Sequence, residues 1–174
     1  MSRIFGEVGQ LAWVVPDIRA AMEHWAMKLG IGPWLLIPNA RPEPFVCDGK
    51  PSDLEISLAF AFSGDLQIEL IQQHNDAPSL YGELASPERG AQHHLGYFVR
   101  DYDERRQGAL DAGFEIGQEG ALGGGSFCYF RTNEIFGTFS ELILMNDQIA
   151  AGFEAQKAAT RAWDGKTVLM GGGS

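Results

Sequence analysis

The chain has 174 residues, 45% hydrophobic and 21% charged, with a formal net charge of -10. That is the make-up of an ordinary globular domain, and the excess of acid argues against nucleic acid and anionic membranes as partners, since both call for basic patches. Two distant cysteines, Cys47 and Cys128, with no CxxC spacing, signal neither a disulfide framework nor a thiolate metal knot, and the sequence shows neither a signal peptide nor an apolar run near membrane length; a cytoplasmic, single-domain protein is expected.

In chain order, residues 9–15 alternate as a strand, with Gln10, Ala12 and Val14 on one side and Leu11, Trp13 and Val15 on the other. Pro16-Asp17 ends this strand and caps a helix whose buried stripe is Ile18, Ala21, Met22, Trp25 and Leu29, with Gly30 as its terminator. Pro38 to Asp53 is too rich in proline for a helix and reads as an ordered surface excursion. Glu55–Phe62 and Leu66–Gln72 form a hairpin around Ser63-Gly64-Asp65. In its first strand Ile56, Leu58, Phe60 and Phe62 make a large apolar face, while Ser57, Ala59 and Ala61 make a small one with room for a ligand. In its second strand Gln67, Glu69 and Ile71 share a face.

Residues 74–91 read as a linker with one helical turn around Leu80 to Leu84. A strand follows at residues 92–100, then a helix opened by an Asp101/Glu104 capping box and stopped at Gly113. Gly123-Gly124-Gly125 is a turn and not a phosphate loop, because no Lys-Ser/Thr follows it. Ser126–Arg131 and Thr138–Met145 are closing strands, residues 147–164 a C-terminal helix packing through Ile149, Phe153 and Trp163, and residues 165–174 a flexible tail.

Two stretches echo each other. Gln92-His93-His94-Leu95-Gly96-Tyr97-Phe98-Val99-Arg100-Asp101 aligns with residues 8–17, so that Gln10 falls where His94 falls, and Glu69-Leu70-Ile71 recurs as Glu141-Leu142-Ile143. The chain is therefore read as one domain of two modules, about 8–73 and 92–146. Gln10, Glu69, His94 and Glu141 each interrupt an otherwise apolar strand. Singly, each has an ordinary structural reading: an edge-strand amide, solvent-facing acids, a hydrogen-bonded core histidine. Their matching positions favour a shared role. No Lys or Arg shares their strand faces, and an unpaired buried carboxylate is unfavourable by several kcal/mol. A divalent cation would satisfy all four, and the mixed oxygen and nitrogen set suits Zn, Ni, Co or Mn. On this reading His93 points away from His94.

The pattern resembles the vicinal oxygen chelate superfamily, which includes glyoxalase I, methylmalonyl-CoA epimerase, extradiol dioxygenases and drug-binding resistance proteins. The resemblance covers residues 8–146, and Gly32-Pro33-Trp34 is similar to a glyoxalase-type subgroup. It implies an α+β fold in which two tandem βαβββ modules form a curled mixed sheet around a metal and substrate cavity, here with an added C-terminal helix. Family metal positions carry over to Gln10, Glu69, His94 and Glu141. Extradiol dioxygenases use two His and one carboxylate, and methylmalonyl-CoA epimerases usually begin with His, so Gln10 departs from both. The order Gln, Glu, His, Glu looks most like zinc-type glyoxalase I. The resemblance then implies a divalent-metal-dependent isomerase, epimerase or lyase moving a proton beside a metal-bound carbonyl, with Glu141 as the base and Glu69 serving the opposite face. Its substrate would be a small molecule, apolar or a thioester, and a homodimer is compatible with the pattern. The alternatives are a binding protein that sequesters a hydrophobic molecule without turnover, or another metal-assisted lyase or hydrolase.

For docking an anionic substrate the sequence offers Arg41, Lys50 and Arg131; for an aromatic one, Trp34, Phe60, Phe127, Tyr129 and Phe139, which also suit a core. The interval from Gln10 to Glu69 is 59 positions (69 − 10), against 47 (141 − 94) from His94 to Glu141. The excess falls in the Pro38 to Asp53 excursion, which is expected to border the cavity mouth.

Overall fold

A computed structural model describes residues 2–85 and 89–171, apart from the side chains of residues 135 and 136. Ten strands form one mixed sheet: β1 Gln10–Val14, β2 Leu35–Ala40, β3 Phe45–Cys47, β4 Lys50–Pro51, β5 Ile56–Ser63, β6 Leu66–Gln73, β7 Ala91–Val99, β8 Ile116–Leu122, β9 Gly125–Phe130 and β10 Phe139–Leu144. Their order is β2-β5-β6-β1-β7-β10-β9-β8-β3-β4. The helices are α1 Ile18–His24, α2 Tyr81–Leu84, α3 Tyr102–Asp111, α4 Asn133–Phe136 and α5 Asp147–Arg161.

The repeat is visible in the strand registers. β1 runs parallel to β6 with Ala12 beside Glu69, and β7 runs parallel to β10 with Gly96 beside Glu141. The modules meet where β1 and β7 pair antiparallel, Gln10 opposite Gly96 and Ala12 opposite His94. Each residue thus faces the counterpart of the other's partner, as a local two-fold axis between β1 and β7 requires. That seam brings the first strand of each module, and the last strand beside it, to the centre of the sheet.

The excursion between β2 and β5 closes the structure. β2 is one edge of the sheet, yet β3, five residues after it, pairs with β8 at the other end, Phe45 opposite Gly120 and Cys47 opposite Gln118. From Ala40 to Phe45 an extended chain reaches at most about 18 Å. A flat sheet would put these strands roughly 38 Å apart at the usual inter-strand spacing. The sheet must therefore curl into a cup, and residues 41–44 strap its two edges together. Expected as a surface excursion, the segment supplies the end of β2 and two further strands.

Outside the cup, α1 packs Ile18 and Met22 against Ala59, Ala61, Ile68 and Leu70, and α3 packs Ala109 in a second cluster with Tyr97, Phe130 and Leu142. Asp17 caps α1 as expected, accepting from the amides of Arg19 and Ala20. Leu29 is not in the buried stripe: Trp25–Leu29 winds as a π-turn, which places Ala26 inside and leaves Leu29 55% exposed. The small face of β5 is not the ligand face either. Ala59 and Ala61 let α1 approach closely, and the large residues Ile56, Leu58 and Phe60 point into the cup. Asp101 forms no side-chain cap on α3; its carboxylate is taken by Arg105 one turn later. Residues 165–170 are not a free tail, because the Trp34 backbone amide donates to the Val168 carbonyl at 2.8 Å and the Trp34 carbonyl accepts from the Met170 amide at 2.9 Å. The remaining tail, residues 172–174, lies outside the described residues. No helix among the described residues is long and apolar enough to cross a membrane.

Candidate metal centre

The cup encloses a cavity of about 290 Å³. At its floor, on the seam between the modules, the four polar residues converge. Gln10 comes from β1, Glu69 from β6, His94 from β7 and Glu141 from β10, all at 6% exposure or less. Alternation brings the two carboxylates there: Ile68 and Leu70 beside Glu69, and Leu142 beside Glu141, pack in the clusters under the outer helices. The His94 Nε2 atom lies 2.9 Å from Glu141 Oε2, 3.2 Å from Glu69 Oε2 and 3.1 Å from Gln10 Oε1.

This crowding is informative. Three acceptor oxygens surround one ring nitrogen, which carries at most one proton. Glu141 Oε2, although within ion-pair distance of the ring, is buried and receives no directed hydrogen bond. Two carboxylates out of water with one imidazole between them also leave negative charge uncompensated. A divalent cation held by the four side chains would give each oxygen a partner and bring the charge to zero, and oxygen plus imidazole is a donor set such ions accept. The residues fit the group, and Glu69, His94 and Glu141 already place one ligand atom each within 4.8 Å of the others.

Neighbouring groups fix the orientation of two of these donors. The amide of Gln10 donates from Nε2 to Gln67 Oε1 at 2.8 Å, which turns its oxygen toward His94. Gly96 makes room for it: a Cβ there would sit 2.5 Å from Gln10 Oε1. His93 controls His94. Its Nε2 lies 3.1 Å from the Leu80 carbonyl, an acceptor, so Nε2 must carry the proton and Nδ1 the lone pair. That Nδ1 is 3.0 Å from Nδ1 of His94, which must then donate to it. The arrangement leaves His94 Nε2 to face the three oxygens, with a lone pair whenever the ring is neutral. Burial, followed by the charge of His94, pushes His93 well below the ordinary histidine value, so it accepts as a neutral ring.

The expectation that His93 points away is corrected here. The β1–β7 register slips between Ala12 and Trp13, which pair with His94 and Gln92 and leave His93 as an extra residue. Such a bulge interrupts alternation, so both imidazoles turn inward, where His93 packs against Tyr81, Tyr129 and Phe139. Gln67, Gly96 and His93 are the site residues that pattern reading missed. The consecutive histidines were the available signal for the last, and the shared face with Glu69 for the first.

Electrostatics follow from burial. Desolvation alone would lower His94, but the carboxylates of Glu141 and Glu69 outweigh it and hold the metal-free ring up at about 9. Burial raises Glu69, against the opposing pull of His94. Tyr81 and Tyr129, hydroxyl to hydroxyl at 3.2 Å beside the site, are both driven well up by burial and then by Glu141.

Of the expected docking cations, Arg41 is bound to Glu55, Arg131 to Glu83 and Asp48, and Lys50 lies on the outermost strand. Of the aromatics, Phe60, Phe127 and Tyr129 line the cavity, whereas Trp34 is buried beneath α1 and Phe139 behind His93. Pro42 places the strap at the cavity wall, and Ile149, Gly152 and Phe153 of α5 cover it.

Residues 9–130 match the family model of the Glyoxalase/Bleomycin resistance protein/Dioxygenase superfamily. The chain belongs to this superfamily. Solved structures share its fold at low identity. A hypothetical protein from Bacillus halodurans aligns with a TM-score of 0.61 at 16% identity, covering 82% of this chain and 96% of that one. The methylmalonyl-CoA epimerase from Mycobacterium tuberculosis aligns with a TM-score of 0.57 at 15% identity, covering 87% and 95%. A Streptomyces coelicolor methylmalonyl-CoA epimerase in complex with 2-nitronate-propionyl-CoA aligns at 0.59 and 16%, covering 82% and 96%. No curated protein matches the sequence. Superfamily membership and the buried Glu-His-Glu group agree on a scaffold for metal-dependent chemistry.

Proposed function

We propose that this protein is a metal-dependent isomerase, epimerase or lyase that moves a proton on the carbon beside a carbonyl. The observation that carries the reading is the convergence of Gln10, Glu69 and Glu141 on His94 Nε2 at the floor of an apolar cavity. These four side chains would hold one divalent ion of the Zn, Ni, Co or Mn group. When bound, the ion supplies Lewis-acid polarisation of the substrate carbonyl.

The chain's own residues do the rest. The apolar walls orient the substrate with its oxygen toward the floor and exclude water. The Glu141 carboxylate takes the α-proton while the C–H electron pair moves toward the carbonyl oxygen, and returns the proton to the carbon or a neighbouring atom. A positioned carboxylate contributes roughly 10²- to 10⁴-fold in such a transfer. Glu69, its counterpart in the other module, stands across the local axis and serves the opposite face of the carbon. His94, oriented by His93, stays a ligand and takes no proton in turnover.

The test is α-proton exchange into deuterium oxide, followed by NMR, with Ni-loaded protein and two probes, methylmalonyl-CoA and α-tetralone. Glu141→Gln keeps an oxygen for the metal but cannot take a proton. It is expected to retain the metal and lose about 100-fold or more of the exchange catalysed by wild type. Undiminished exchange would move the base to Glu69. No metal-dependent exchange by wild type with either probe would favour the sequestration reading.

A further inference from the structure

We infer that the substrate of this site is a small neutral molecule, largely hydrocarbon, with a carbonyl or enol oxygen at one end, and not an acyl-CoA or a glutathione conjugate. The inference rests on the proposed reaction for where the oxygen sits, and on the cavity for everything else.

All the charged side chains of the cavity and most of its polar ones lie at one end; of the two polar side chains elsewhere in the lining, Ser126 and Gln156, the latter donates its amide hydrogen to the Phe60 carbonyl. Gln10, Gln67, Glu69 and Glu141 gather at the floor with the two tyrosine hydroxyls, while Ile56, Leu58 and Phe60 on one wall face Phe127 and Ile143 on the other. Among the described residues no Lys or Arg lines the cavity. Cations near it are engaged: Arg41 with Glu55, Arg131 with Glu83 and Asp48, and Lys157 with Asp65. Phosphates or a peptide carboxylate entering here would lose their hydration without gaining a counter-charge. Such uncompensated burial is unfavourable by several kcal/mol per ion, and the chain's net charge of -10 adds to it.

Size agrees. A volume of about 290 Å³ is at the lower end of small-molecule sites. That is the scale of a fused two-ring compound. α5 roofs this space with Ile149, Gly152 and Phe153, and it is held down by Gln156, which donates to the Phe60 carbonyl at 2.6 Å.

Calorimetric titration of the Ni-loaded, full-length protein tests the inference with three probes: α-tetralone, naphthalenesulfonate as an anion of similar size, and methylmalonyl-CoA. α-Tetralone is expected to bind at least about tenfold tighter than either anion. The cavity-filling variant Gly152→Leu locates the binding. A Cβ at Gly152 meets nothing within 4 Å, and replacing a helical glycine favours the helix, so the variant should fold with its Ni stoichiometry intact. Its affinity for α-tetralone should fall by about tenfold or more. Equal binding of either anion, absence of α-tetralone binding to wild type, or Gly152→Leu binding it unchanged would each overturn the inference. Binding is read without turnover, so α-tetralone that binds tightly while neither probe exchanges would defeat the proposed reaction and leave the ligand class standing.

Discussion

Replacing His93 by Phe is the sharpest probe of how the proposed metal centre is built. Phe keeps an aromatic ring between Tyr81, Tyr129 and Phe139, whose centroids lie 5.0, 5.8 and 4.9 Å from the imidazole. What it removes is the acceptor 3.0 Å from His94 Nδ1. A buried hydrogen bond to a charged or metal-polarised group contributes about 1.5–3 kcal/mol, which corresponds to roughly 10- to 100-fold in metal affinity. That agrees with the range seen when an outer partner of a metal-binding histidine is lost. The assay is calorimetric titration of metal-stripped protein with Ni²⁺ and Zn²⁺ at neutral pH. The Leu80 carbonyl also loses its donor in this variant, so melting is measured separately to keep a stability loss apart from an affinity loss. His93→Gln, which again offers an acceptor oxygen, should recover part of the affinity. Should His93→Phe bind both ions as tightly as wild type, His93 does not orient His94 and the argument for its tautomer fails.

Two further outcomes are expected. Gly96→Ala would place a Cβ 2.8 Å from Gln10 Cβ as well as 2.5 Å from its oxygen; overpacking of this kind destabilises by about 1–3 kcal/mol, so weaker metal binding and a melting point lower by roughly 2–10 °C should appear together. The pH dependence is set by His94, raised from 6.5 to about 9 without metal: its contribution to the stability of the metal-free protein is complete below pH 6.5 and is lost as pH rises through about 9, and Glu69, also raised, acts in the same direction from lower pH. Because the ion must displace the His94 proton, metal affinity should instead rise about tenfold per pH unit up to that point, and a flat affinity profile would count against His94 as a ligand.

Much of this could be read from residue types and periodicity. The four floor residues were legible because each breaks an apolar alternation and each has a counterpart one module away. Features that escaped depend on departures from ideal periodicity or on partners distant in sequence. Leu29 moved to the surface through a π-turn, which no 3.6-residue pattern contains, and His93 turned inward through a bulge defined only by the facing strand. Which face of β5 met the cavity depended on α1, since a helix needs small residues beneath it while a cavity wall does not. The strap was visible as an excess of chain, but its pairing with β8 lies some seventy residues downstream. Gln67 was seen on the correct face, and its task became evident only when the Gln10 amide lay beside it.

The strap also sets an order of events during synthesis. β4 can pair with one edge of Phe45–Cys47 as soon as it is made, but the partners on the other edge are residues 118–120, so that edge must wait while the intervening chain emerges. At a typical 5–20 residues per second that delay is roughly 4–15 seconds. During that interval the strand exposes apolar Phe45 and Val46 and open backbone groups, the condition in which edges recruit the wrong neighbour. The same segment that completes the cup is thus the part of the nascent chain most dependent on residues not yet made, and the interval just before β8 emerges is when a chaperone would have most to protect.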